Sequence, residues 1–526
     1  MTVSATAAPR TRPAAENGAR PLRLPRAVLP VAGVLALVLI WQVIGVSGVL
    51  GRAVPPPTAV LDAFVDKGDI LLRAALATGG RALVGGLIGY LLGAMVASVT
   101  AWFPRSTTPL VRVTVLINAI PIVALGPVLM SVPARPFIPE VFAALSVLFA
   151  TVLTVGDGLR SASKSPADVF RVFGASRTAR FFRLELPSAL PMAADAARLA
   201  VPAAILGAIL GEWFGADRGL GVLMVSAMRN IQYGFLWAAA VVAVLVSVVF
   251  YLVGTVLERA ASRRFGRSGE AAVDVAPLAK SASALIGVLI PVLLIVGWQA
   301  WIWIGDVPQI VAPGPLGVAE SLAADAPELL AAAGLTTLSA FGGLLAGAVV
   351  GLALAILVTL LPWLNAMLSP LALIIPTVPI VVFIPILGSL LGYGVATVFA
   401  SCVLMAFFPI YVLACSGLRA RPAGSDDLFT IYGTGRLRRL TRLALPAAVP
   451  ALLIAVRLAA ANAFLIAISA EWLMGQGGLG RVFSERRVIL DTNGSWAAVV
   501  VAIVLSVLAY VGAAALERKV VTRWRS

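Results

Sequence analysis

Apolar runs of about twenty residues, parted by short polar stretches, dominate the chain, and that is the length a helix needs to cross a hydrocarbon core. The first half has such spans near 27–50, 74–103, 109–131, 138–158, 191–213 and 235–257. The second half has them near 284–304, 331–361, 367–392, 395–416, 450–473 and 496–516. The ten-residue alternation of barrel strands is absent, which leaves helices as the spanning structure. Prolines break the third span of each half: Pro121 and Pro127 in the first, Pro379 and Pro385 in the second. The pattern predicts an all-α integral membrane protein of about 12 transmembrane helices.

The polar positions are written twice. Asp168, Phe170, Gly174 and Arg177, closing at Leu186 and Pro187, return 259 residues later as Asp427, Phe429, Gly433 and Arg436, closing at Leu445 and Pro446. At the same offset Arg198 returns as Arg457, Glu212 and Trp213 as Glu471 and Trp472, and Gly219 and Gly221 as Gly478 and Gly480. The broken third spans match one residue out of step, Pro121 with Pro379 and Pro127 with Pro385. Six spans per half insert both halves in one orientation, so the expectation is two parallel six-helix repeats about an axis normal to the membrane. The boundaries are a basic cytoplasmic tail at 1–26, a repeat at 27–258, a cytoplasmic linker at 259–283 and a second repeat at 284–526.

Composition fits this reading. Of 526 residues, 60% are hydrophobic and 12% charged, and mean hydropathy is +1.00. A soluble domain carries about twice that charged fraction. No cleavable signal peptide is expected, because no small-residue cleavage site follows the first apolar run. The net charge of +16 reports topology and not nucleic acid. Its basic residues gather at 1–26, 160–183, 259–280, 419–442 and 517–526, whereas 305–328 holds Asp306, Glu320, Asp325 and Glu328 and no cation. By the positive-inside rule the basic segments and both termini are cytoplasmic. Histidine is absent, which removes the commonest general base and metal ligand and argues against an intramembrane enzyme. Cys402 and Cys415 share one predicted helix, roughly 20 Å apart and too far for a disulfide.

The loops at 160–190 and 419–449 are long for connections in a compact protein, and long loops tend to be functional. Each has an aromatic-bearing helical stretch, a glycine suited to a positive-φ turn, arginines and a Leu-Pro stop. One reading is a docking surface; the other is a segment lying on anionic lipid. Glu212 and Glu471, each followed by a tryptophan near an outer helix end, read either as interfacial anchors or as an outer gate. Arg198 and Arg457 read as snorkelling cations or as attractors of an anionic solute. The paired prolines read as packing kinks or as shapers of the path. Asn118, opposite Pro376 in the repeat, is an isolated polar residue beside that path, or a helix–helix hydrogen bonder.

An acid six residues before a glycine, with Leu-Pro thirteen residues after it, resembles the EAA loop of ATP-binding-cassette (ABC) importer permeases. Asp168-Val169-Phe170 and Asp427-Leu428-Phe429 stand where that family has Glu-Ala-Ala. The pairing of Glu-Trp with Gly-Leu-Gly is similar to the nitrate/sulfonate/taurine branch, with which carriers of a thiamine precursor share features. The resemblance implies a type I fold and coupling of Asp168, Phe170, Gly174, Arg177, Pro187 and their repeats to two ABC ATPase subunits. It implies an extracytoplasmic solute-binding protein, and a path or gate at Asn118, the paired prolines, Glu212, Trp213, Glu471 and Trp472. No phosphate-binding P-loop sequence occurs, so no cofactor is expected on this chain, and ATP and Mg would sit on the partner subunits. The resulting expectation is a plasma-membrane permease moving a small organic anion. The alternative is an ion-coupled secondary transporter, which would need carboxylates at mid-membrane depth.

Overall fold

The computed structural model describes residues 28–103, 126, 129, 135–160, 170, 172–265, 280–361, 363–368, 379–420, 424–474 and 477–525. Among them every regular element is helical, and eight helices are long and apolar enough to cross a membrane. In the first half the helices are α1 (Val28–Ser47), α2 (Pro57–Trp102), α3 (Ile138–Arg160), α4 (Leu186–Glu212), α5 (Leu220–Arg229) and α6 (Tyr233–Phe265). The second half has α7 (Lys280–Ile304), α8 (Pro315–Ala324), α9 (Ala326–Leu360), α10 (Phe383–Leu391) and α11 (Val395–Arg419). It continues with α12 (Ser425–Ile431), α13 (Leu445–Met474), α14 (Gly478–Val488) and α15 (Thr492–Arg525).

The duplication extends to backbone defects. Helix α2 is interrupted at Lys67 (φ −128°, ψ 22°) where the second half breaks between α8 and α9 at Asp325 (φ −98°, ψ 14°). A single π-helical turn, Phe181–Glu185, precedes α4, and its counterpart Leu440–Ala444 precedes α13. Two exposed residues take positive φ at matching places, Ile231 (58°) and Leu490 (60°).

Helices α2 and α3 pack through a stripe of small residues, as lipid offers no hydrophobic drive for helices to associate. Gly85 and Gly89 press against the carbonyls of Glu140 and Ala144, and Gly93 against Thr151. In the second half Gly343, Gly347 and Gly351 meet Cys402 and the carbonyls of Val403 and Phe407. A side chain at Gly85, Gly89, Gly343 or Gly347 would overlap its neighbour, so backbone contact fixes the crossing. One buried core spans both halves, joining Phe214, Met224 and Met228 to Ile384, Phe464 and Met474.

Several expected boundaries move. Helix α2 begins at Pro57, well before 74, because its first turns form a separate segment ahead of the break at Lys67. The path into α4 is helical from Arg177, not 191. Leu186 and Pro187 therefore do not stop the loop; Pro187 directly follows the π-helical turn Phe181–Glu185, inside a run that is helical from Arg177 to Glu212. Helix α6 runs to Phe265 and α7 starts at Lys280, so both ends of the expected linker are helical. The third span of the first half, apart from residues 126 and 129, and residues 369–378 of the second fall outside the described residues.

Candidate functional site

Beyond the C-terminal ends of α3 and α11 the two loops present the same turn. Gly174 (φ 62°) and Gly433 (φ 59°) take left-handed backbone with open space around them. The Ala175 N–H donates to the Phe170 carbonyl at 2.9 Å, and the Thr434 N–H to that of Phe429 at 3.1 Å. The side chains ahead of each glycine face outward: Phe173 is 83% exposed and Tyr432 79%, with Val172 and Ile431 beside them. Arg177 turns back and donates to the carbonyls of Ala101 and Trp102, at the C-terminus of α2. There it satisfies orphan carbonyls and meets the negative end of the helix dipole. Arg436 and Pro446 hold the matching places, the one opening a helical turn after Gly435, the other in the first turn of α13. Asp427 is exposed on α12, and Asp168 lies outside the described residues.

At the C-terminal ends of α4 and α13 a second duplicated device is buried. Glu212 and Glu471 are each 2% exposed. The Thr78 hydroxyl donates to Glu212 Oε1 (2.7 Å) and accepts the Leu220 N–H (2.8 Å), while the Gly221 N–H donates to Glu212 Oε2 (2.7 Å). In the second half the Thr336 hydroxyl donates to Glu471 Oε2 (2.9 Å) and accepts the Leu479 N–H (2.9 Å), and the Gly480 N–H donates to the same Oε2 (3.0 Å). Each carboxylate thus holds the first turn of α5 or α14, whose orphan N–H groups need acceptors. Gly219 (φ 132°) and Gly478 (φ 68°) lie flat on these carboxylates, and a Cβ at either would collide with one. Burial of this kind does not fit the interfacial-anchor reading of the two acids.

Trp213 and Trp472, one residue beyond the acids, meet across the junction of the halves. Their rings stack at 6.4 Å and 17°, and Phe214 lies against Trp472 at 4.3 Å and on Phe142 at 5.5 Å. A cavity of about 400 Å³ beside them is lined by Glu212, both tryptophans, Arg229 and Asn230. Pro385 is buried in α10, and Pro379 is buried just ahead of it. Asn118, Pro121 and Pro127 lie outside the described residues. Arg198 and Arg457 pair with Glu258 (3.7 Å) and Glu517 (2.9 Å) on the last helix of each half, which gives both a partner within the protein.

Four participants went unrecognised in the sequence. Thr78 and Thr336 recur 258 residues apart, a signal that was available. Arg81 and Arg486 have no counterpart in the other half, so no repeat could point to them. Arg81 reaches Glu140, Glu212 and Asp217 beside a cavity of about 1080 Å³ between α2, α3 and the 213–219 loop. Asp217 is held below its ordinary value, first by a hydrogen bond from its own backbone N–H, then by Arg218 and Arg81.

Residues 89–267 and again 329–522 match the family described as "Binding-protein-dependent transport system inner membrane component". The chain belongs to that family. It is a multi-pass ABC transporter permease of a binding-protein-dependent system, with two family units on one polypeptide. A "Probable ABC transporter permease protein" of Haemophilus influenzae is 30% identical over 228 residues, covering 43% of this chain and 93% of the relative. The "Formylaminopyrimidine transport permease protein ThiX" of Halalkalibacterium halodurans is 28% identical over 200 residues, 37% of this chain and 79% of its own length. The "Putative aliphatic sulfonates transport permease protein SsuC" of Bacillus subtilis is 26% identical over 242 residues, 46% of this chain and 87% of its own. No solved structure matches.

Proposed function

We propose that this permease is the fused membrane subunit of an ATP-driven importer, its two halves arranged as parallel six-helix repeats with both termini cytoplasmic. Two ATPase subunits dock on the turns at Gly174 and Gly433, and an extracytoplasmic binding protein delivers solute to the opposite face. The solute is a small molecule of the sulfonate, nitrate or thiamine-precursor class; aliphatic sulfonates and a formylaminopyrimidine are the solutes named for two relatives. Closure of the ATPase dimer draws the turns together and parts Trp213 from Trp472 at the outer end; hydrolysis resets them.

One observation carries the reading: two glycine turns of the same geometry, 259 residues apart, each bearing apolar side chains that face outward from the helix bundle. Exposed apolar clusters of this kind mark interaction surfaces. Gentle-detergent purification of the tagged chain from its host tests it. Two ATPase subunits per chain are expected. A lone chain whose uptake in vesicles collapses with an ionophore, while ATP stays high, would overturn the reading.

A further inference from the structure

Helix α5 turns one face to the cavity beside the tryptophan pair. Val222, Val225, Ser226 and Arg229 line it, and their spacing is that of one side of a helix. Trp472 and Leu473 close it from the second half, and Trp213, Gly215 and Ala216 from the first. The walls are thus mostly apolar and aromatic with a few polar groups among them. That is the make-up of a small-molecule site, and about 400 Å³ falls within the usual size of one.

Two of those polar groups lack a partner. The Trp213 Nε1 donor is buried with no acceptor, a state in which few buried donors are left. Arg229, the last residue of α5, is exposed and forms no ion pair among the described residues. Glu212 lines the same cavity, but its charge is met from behind. Thr78 and Gly221 donate to its two oxygens, and Arg81 stands 3.5 Å away. Arg229 is therefore the lining charge left unmatched. The second half does not repeat the arrangement: Val488 and Ile489 stand for Arg229 and Asn230, and Arg481 and Glu485 for Val222 and Ser226. Arg481 and Glu485 pair with each other at 3.5 Å. Arg486 is tied to Asp325 (3.1 Å), Glu328 and Asp491 (3.0 Å).

We propose that this cavity binds an organic anion with a flat apolar body, such as an aryl or heteroaryl sulfonate or carboxylate. Arg229 and the Trp213 N–H meet the anionic group, and the body lies along the indoles of Trp213 and Trp472. A guanidinium is a planar fork of donors suited to a carboxylate or sulfonate. Aromatic faces take up flat apolar groups by offset stacking. Nitrate supplies the charge without the body, and a neutral ring supplies the body without the charge, so neither satisfies both walls. That this ligand is the transported solute rests on the permease reading above; the anion site does not.

Fluorine NMR of the full chain in lipid nanodiscs, labelled with 5-fluorotryptophan and free of ATPase subunits, tests the site. Benzenesulfonate is the probe, with methanesulfonate for the charged head alone and benzyl alcohol for the ring alone. The resonances of Trp213 and Trp472, assigned through W213F and W472F, are expected to move saturably with benzenesulfonate. Each half-probe should need a concentration at least about tenfold higher. R229Q, a change at an exposed residue, should weaken benzenesulfonate binding about tenfold, and R229K should restore part of it. W213F removes the N–H but keeps a ring, and should weaken binding by a smaller factor, as read at Trp472. A merely structural role for Arg229 at the end of α5 would not separate the charged probe from the neutral one. The proposal is overturned by no saturable shift at either tryptophan, by equal binding of benzyl alcohol, or by R229Q binding like the parent chain. Binding by a chain that recruits no ATPase counts against the permease reading and leaves the site standing. ATP-driven uptake with no binding here sinks the site and leaves that reading standing.

Discussion

Glu212 and Glu471 occupy the same place in the repeat yet bind differently, and the difference predicts how each tolerates an amide. Glu212 accepts through both oxygens, Oε1 from Thr78 and Oε2 from Gly221. Glutamine offers one acceptor, so E212Q turns its amide toward a donor and leaves a buried group unmet. Glu471 takes both bonds on Oε2, which the single oxygen of a glutamine reproduces. We expect E212Q to cost about 1–3 kcal/mol of stability and E471Q markedly less, as read by thermal unfolding in detergent. Equal losses would show that the oxygen assignment does not govern the latch. A second prediction concerns the turn glycines. Alanine at Gly174 or Gly433 meets no steric neighbour but takes left-handed backbone at a cost of about 1 kcal/mol. Global unfolding should therefore stay nearly unchanged while ATPase binding, followed by co-purification, weakens.

At the scale of the element, the α2–α3 and α9–α11 crossings depend on missing side chains. A Cβ at Gly89 or Gly347 would run into a carbonyl of the facing helix, so G89A and G347A must push the pair apart. An overpacking cost of about 1–3 kcal/mol is expected for each. Gly80 and Gly334 are the controls: helical, on the same two elements, with open space where a Cβ would go. There alanine should be neutral or stabilise by about 0.5–1 kcal/mol through backbone entropy. Thermal melts of the four variants check the contrast, and indistinguishable melts would refute the close-approach account. The same elements were only partly legible in the sequence. Among the described residues, spans with long apolar runs were read at the right places, whereas helix ends were not; the expected span at 109–131 falls outside them apart from residues 126 and 129. Residues 57–66 and 177–185 mix polar and apolar residues, so only their packing against the body reveals them as helix.

For the whole molecule, the duplication makes function a property of paired surfaces. Changing Asp168 and Gly174 together with Asp427 and Gly433 alters both turns at once. Uptake should fall to background while ATPase activity persists, because hydrolysis is no longer tied to the membrane helices; full uptake by this quadruple variant would refute the coupling role. Changing one turn alone should leave an intermediate rate. A fused chain also allows its halves to diverge, since every molecule carries one of each. Arg81, Arg229 and Arg486 use that freedom, and a homodimer of one half would carry each of them twice or not at all.

The sequence by itself determined the helical class, the double repeat and the outward-facing loops. Membrane helices are read from hydropathy because each must satisfy its own backbone bonds in lipid, and a repeat is visible wherever the same chemistry is needed twice. Only the tertiary structure decided what the acids at 212 and 471 do. Thr78 stands 134 residues before Glu212 and Arg81 stands 136 before Asp217, and no local periodicity links them. The crossing of α2 over α4 and α5 brings Thr78 and Glu212 together in a buried site, with Asp217 exposed at its edge. There a carboxylate needs donors aimed at it, and only the folded chain can aim them.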